Sequence, residues 1–203
     1  GGETGGSNGW GIWISGPAPG RATIDTLDRG WAYLVQNPSW DFRTANLERD
    51  VNHYDAALGR VVNATDPDLR AFRARGGKLI LYNGWSDPDV SPLATVDYYD
   101  SVVRRMGLAD AGSFTRLYMV PGMQHCSGGP GPDTFGVAMM IALQDWVEKG
   151  VGPGSIIATK YRTDGHPASG IVRTRPLCPY PQVARYQGTG SIDDAANFTC
   201  RAP

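Results

Sequence analysis

The chain is poor in cysteine and histidine and carries no excess of either charge. Its 203 residues include 3 Cys and 3 His, and 19 Lys+Arg against 20 Asp+Glu leave a net charge of -1. That balance gives no electrostatic footprint for nucleic acid or an anionic membrane, so neither is expected as a partner. Long apolar runs are missing too. The longest, LILY at 79–82 and VAMMIAL at 137–143, fall far short of the roughly 20 residues that span a bilayer. Internal repeats and low-complexity tracts are absent, and 6 Trp with 9 Tyr exclude a disordered chain. The opening GGETGGSNGWG has no initiator Met, basic n-region or apolar h-region, and reads as a point inside a longer protein.

What is present organises the middle of the chain. Residues 1–20 read as irregular, and residues 24–36 place Ile24, Leu27, Trp31 and Leu34 on one helical face that NPSW terminates. Residues 38–64 read as loop with short helical pieces. Asp66 before Pro67 predicts an N-cap, with Leu69 and Phe72 on the buried side and Gly76-Gly77 as the stop. KLILYN is then a continuous apolar run, as in a strand buried on both faces of a parallel sheet. A helix over 94–106, a strand at FTRLYMV, a helix over 134–149 and a last strand or edge at SIIATKY follow. Alternating helices and strands predict part of an α/β fold with right-handed crossovers.

In open α/β sheets the reactive groups sit on loops beyond the carboxyl ends of strands. GWSDPDVSP, after the first strand, brings Asp87 and Asp89; PGMQHCSGG, after the second, brings His125. An acid and then a histidine, in that order, are the last two members of a Ser…Asp…His sequence of catalytic groups. The competing reading of Asp87 is a turn-forming residue ahead of Pro88, and that of His125 a loop histidine bonded to backbone. No serine completes the set. Only six residues precede Ser7 in GGSNG, Ser86 in GWSDP is followed by an aspartate opposing an oxyanion, and Ser127 lies two residues past the base. The nucleophile is therefore expected outside the chain, on an upstream segment or a second chain.

Cys126 directly follows His125. A thiol beside its own base in sequence is a poor catalytic pair, because such pairs meet through the fold. A disulfide from Cys126 to the serine-bearing segment would instead tie base to nucleophile. Cys178 and Cys200 bracket a segment without periodicity, and closing it would be worth about 3 kcal/mol in the chain-entropy model. The cysteines and the sequons at Asn63 and Asn197 are compatible with a secreted or periplasmic location. His53 and His166 have no metal-ligand spacing and are assigned no role.

GWSDPDVSP, VPGMQHCSGGPGPDTF, ALQDWVEKGVGP and RPLCPYPQVARYQGTGSIDDAANFTC together resemble the tannase and feruloyl esterase family of α/β-hydrolases, and GGETGGSNGWGIWISG resembles the end of that family's lid domain. The resemblance implies the end of a lid over 1–64, the C-terminal part of the catalytic domain over 65–175 and a disulfide-closed tail over 176–203. It implies His125 as general base and Asp87 as the third triad member, with Asp89 the runner-up. It also implies a Cys178–Cys200 disulfide and a Cys126 partner outside the chain, just before the nucleophilic serine. Substrates implied are esters of aromatic or phenolic acids, with Trp10 and Trp13 as candidate pocket walls. The family's lid holds a structural calcium whose ligands are not expected in this chain, and catalysis itself needs no cofactor. Two rival readings are a non-catalytic fragment or subunit that completes another chain's site, and a binding module for aromatic ligands.

Overall fold

The computed structural model describes residues 8–13, 15–16, 18, 37, 39, 44 and 46–203. The helix expected at 24–36 and Ser7 lie outside them. The chain divides into two units, Trp10–Asp66 and Gly1–Gly9 with Pro67–Pro203.

In the smaller unit, α1 spans Trp10–Trp13. A helical run then begins with α2, Leu47–Tyr54, continues through a π-helical turn at Asp55–Gly59 and ends with α3, Arg60–Val62. This is more continuous than the loop with helical pieces expected there. The Asn46 side chain accepts from the Arg49 N–H at 2.9 Å while Asp50 accepts from the Asn46 N–H at 3.0 Å, which satisfies orphan donors at the helix start. Leu47, Val51 and Val61 stay exposed, so no buried apolar stripe announced the helix.

In the larger unit, α4 covers Arg70–Ala74 and is shorter than expected. Asp66 is not its cap. Leu69 occupies the N-cap position without a side-chain bond, and Asp68 turns its carboxylate to Arg70 and Arg105. The stop is as predicted: Gly76 takes φ +78, and the N–H groups of Gly76 and Gly77 return to the carbonyls of Arg73 and Phe72. Strand β1, Leu79–Gly84, pairs in parallel with β2, Thr115–Val120, in a register that sets Gly84 beside Val120. The crossover runs through α5, Pro92–Met106, and α6, Leu108–Phe114; the second of these was not anticipated.

Alternation along β2 feeds two cores. Leu117 and Met119 face Val96 and Tyr99 of α5, while Tyr118 and Val120 face Met123, Phe135 and Met139. Met139 belongs to α7, Gly136–Lys149, which Gly150 ends in the left-handed conformation. Strand β2 is thus buried on both faces. Strand β1 is not: Tyr82 is 45% exposed, because β2 is its one strand neighbour among the described residues.

SIIATKY forms β3, Ile156–Tyr161, but pairs antiparallel with the unanticipated β4, Ile171–Leu177, in a separate sheet. The tail, read as lacking strands, contains β5, Val183–Tyr186, and β6, Phe198–Arg201, paired antiparallel. The disulfide Cys178–Cys200 closes this hairpin. Tyr180 N–H donates to the Leu117 carbonyl at 2.8 Å and Pro179 bridges Tyr118, so the tail lies along the outer edge of β2. No helix among the described residues is long and apolar enough to cross a membrane.

Candidate active site

Asp87 and His125 arrive from the carboxyl ends of β1 and β2, and three backbone features bring those ends together. Trp85 N–H donates to the Val120 carbonyl at 2.9 Å, and Ser86 N–H donates to the Met123 carbonyl at 3.1 Å. Gly84 sits so close to the Met123 carbonyl that a Cβ there would collide with it. The parallel register therefore determines where the two loops meet.

Asp87 is buried, with its side chain 4% exposed. Its Oδ1 accepts the N–H groups of Asp89 and Val90, both at 2.9 Å. This is the turn-forming role expected of an aspartate before proline, and it coexists with a second contact. His125 Nδ1 lies 3.1 Å from Oδ2 and 3.3 Å from Oδ1 of Asp87. The local turn fixes the carboxylate, and the fixed carboxylate orients the imidazole. Asp89 approaches the opposite ring nitrogen, Nε2, at 3.9 Å, outside hydrogen-bond reach. The two candidate acids thus take different edges of one ring. With Nδ1–H directed at Asp87, the imidazole presents Nε2 as the acceptor, which is the tautomer a general base needs.

The His125 loop is braced on itself. Gln124, fully buried, receives the Asn8 N–H at 3.2 Å, and the Gln124 N–H donates to Gly128 at 3.2 Å. The Asn8 amide donates to the Ser127 hydroxyl at 2.8 Å. Asp133, whose side chain is 2% exposed, accepts the Gly128 N–H at 2.7 Å through Oδ2, and Oδ1 has no hydrogen-bond partner among the described residues. Lys160 Nζ donates to the Gly129 carbonyl at 2.6 Å, pairs with Asp164 at 2.5 Å and lies 3.7 Å from Asp133 Oδ2. Asn8, Gln124, Asp133 and Lys160 were not anticipated. Asp133 offered a sequence signal, a carboxylate inside the glycine- and proline-rich stretch GGPGPD.

Cys126 is exposed, a free thiol in this chain, and takes φ +60. A left-handed conformation away from glycine costs about 1 kcal/mol or more. Ser86 is buried, and Ser127 is engaged by Asn8. Trp10 and Trp13 lie in α1 of the smaller unit, Trp10 being 42% exposed. No group of three or more His, Cys, Asp or Glu among the described residues is placed to hold a metal ion.

This geometry can be set beside known proteins. The family profile "Tannase and feruloyl esterase" matches residues 26–201. Mono(2-hydroxyethyl) terephthalate hydrolase of Piscinibacter sakaiensis is 54% identical over 143 residues, covering 69% of this chain and 22% of the relative. An uncharacterized esterase of Xanthomonas campestris pv. campestris is 40% identical, covering 94% of this chain and 39% of the relative. The crystal structure of feruloyl esterase B from Aspergillus oryzae superposes with a TM-score of 0.74 at 28% identity, covering 84% of this chain and 36% of that one. The chain therefore spans well under half the length of these relatives. Its parallel strands, flanking helices and closed tail are the C-terminal part of an α/β-hydrolase fold. The profile spans almost all of the sequence, strands and tail included, and on that ground the chain belongs to the tannase and feruloyl esterase family.

Proposed function

We propose that this chain supplies the acid and base of a carboxylic ester hydrolase acting on esters of aromatic or phenolic acids. The observation that carries the reading is the Asp87 carboxylate held on Nδ1 of His125 at the adjoining ends of two parallel strands.

In this mechanism a serine from the segment upstream, or from a second chain, attacks the ester carbonyl. His125 Nε2 takes the serine proton as the C–O bond to the enzyme forms, then donates it to the departing alcohol as the acyl–oxygen bond breaks. In the second half it removes a proton from water, which attacks the acyl-enzyme, and returns that proton to the serine as the acid leaves. Asp87 stays ionised throughout, fixes the ring and stabilises the imidazolium. The Cys126 thiol pairs with a cysteine beside the serine, which fixes nucleophile and base at reacting distance. Trp10 and Trp13 are the candidates that the family resemblance supplies for stacking on the aryl group. The calcium belongs to a part of the lid beyond these residues, and no step here runs through it. The Cys178–Cys200 disulfide supports an oxidising location, secreted or periplasmic.

The test uses the complete protein. Hydrolysis of methyl ferulate, methyl gallate and mono(2-hydroxyethyl) terephthalate is measured, and a serine-directed fluorophosphonate is mapped by mass spectrometry. Turnover of at least one ester, with the label on a serine outside residues 1–203, is the expected result. Binding of the free acids without any turnover would instead favour a ligand-binding module.

A further inference from the structure

A cavity of about 610 Å³ is lined by neither Asp87 nor His125. It opens between residues 121–132 and the disulfide-closed tail. Its walls include Trp85, Met119, Leu177, Tyr180 and Phe198, with the polar Gln182 among them, and its cations are Arg173 and Arg175. The size falls within the usual range of small-molecule sites, about 300–1,000 Å³.

The two arginines differ in what they already hold. Arg173 Nε is bound to the Asp193 carboxylate at 2.6 Å. Arg175 forms no direct ion pair, and Asp193, already bound to Arg173, attracts it only at longer range: Nη1 donates to the Thr174 carbonyl at 2.9 Å, and the guanidinium lies 4.2 Å over the Phe198 ring. No carboxylate among the described residues forms an ion pair with it. Burial first, and then the neighbouring Arg173, pull its pKa below the ordinary arginine value. A half-buried cation with open donors is costly unless an anion meets it. The planar fork suits a carboxylate, and packing over the Phe198 ring restricts where that fork can move. Two guanidiniums sharing the one Asp193 carboxylate leave about one positive charge over, which matches a monoanion better than a phosphate, and the aromatic walls suit a ring.

We propose that this cavity is an accessory binding site for a small aromatic carboxylate, with Arg175 gripping the carboxylate and Trp85, Tyr180 and Phe198 lining the ring. The site touches the roots of both loops that carry the candidate acid and base. Trp85 lies two residues before Asp87, and Gly122 three before His125. An occupant therefore lies next to the chain segments that lead to them, in a cavity that neither of them lines.

The experiment is equilibrium binding of 4-fluorobenzoate, which carries no ester bond to hydrolyse, to the complete protein, followed by ¹⁹F NMR and calorimetry. The expected result is a class of site weakened tenfold or more by Arg175→Gln, partly restored by Arg175→Lys, and insensitive to competition by neutral benzamide. Val183→Trp, which fills the cavity from its exposed rim, is expected to abolish the same class. Binding that neither Arg175→Gln nor Val183→Trp alters would overturn the proposal. Because the readout is binding, it stands or falls whether or not an ester is turned over.

Discussion

Nδ1 of His125 lies 3.1 Å from Oδ2 of Asp87 across 38 residues of sequence. That distance is set by strand register, by the collision-limited approach of Gly84 to Met123 and by the turn that Asp87 caps. The pair is thus a product of the sheet and of one local turn acting together.

If His125 is the proton carrier, His125→Ala in the complete enzyme is expected to lower kcat by about three orders of magnitude or more. Steady-state kinetics on methyl ferulate, with circular dichroism as a check on folding, reads this. Near-normal turnover in a folded variant removes His125 from the mechanism.

The brace around the loop makes a different prediction. Lys160→Met strips the buried Asp133 of its nearest cation, and breaking such a pair costs about 3 kcal/mol. The variant is expected to unfold at lower urea, and to lose about tenfold in kcat, or about 1.4 kcal/mol, with KM little changed. An unchanged kcat would leave Lys160 a purely structural residue.

The tail depends on its cross-link. The disulfide closes a sequence separation of 22, and replacing both Cys178 and Cys200 by alanine is expected to cost about 3 kcal/mol. Denaturant titration of the paired variant measures it. A change below about 1 kcal/mol would show that the hairpin holds without the bond.

Stability should also fall at high pH through Tyr118. This side chain is fully buried, its hydroxyl donates to the Gly154 carbonyl at 2.6 Å, and burial pushes its pKa up to about 12. The unfolded chain loses the proton near pH 10 and the folded chain only near 12, so the folded state binds more protons between those values. Stability is then complete below about pH 10 and declines as pH rises towards 12. Urea midpoints between pH 9 and 12 should show that slope in the parent and a shallower one in Tyr118→Phe. Identical slopes would exclude Tyr118 as the cause.

Much of the catalytic half was legible in the sequence because its signals are local. LILY and LYMV read as strands from their continuous apolar runs, and α5 and α7 from their periodicity. The order acid then histidine followed from placing those strands. The tail strands escaped notice because four residues are too few for an alternation to register, and a distant cysteine pair holds them. Asp66 misled because Asp68, two residues on, competes for the same turn through two arginines. The contacts of Asp133 and Lys160 were invisible for another reason: a helix and most of a strand separate them, and only the fold closes that gap.

The most direct test of the central claim compares the two acids on the imidazole. In the complete enzyme, kcat/KM is measured for Asp87→Asn and Asp89→Asn on one aromatic ester. Asp87→Asn is expected to lose about 10³–10⁴-fold by spoiling the tautomer, and Asp89→Asn no more than about tenfold. Equal losses, or a larger loss at Asp89, would contradict the assignment of Asp87 as the residue that holds His125.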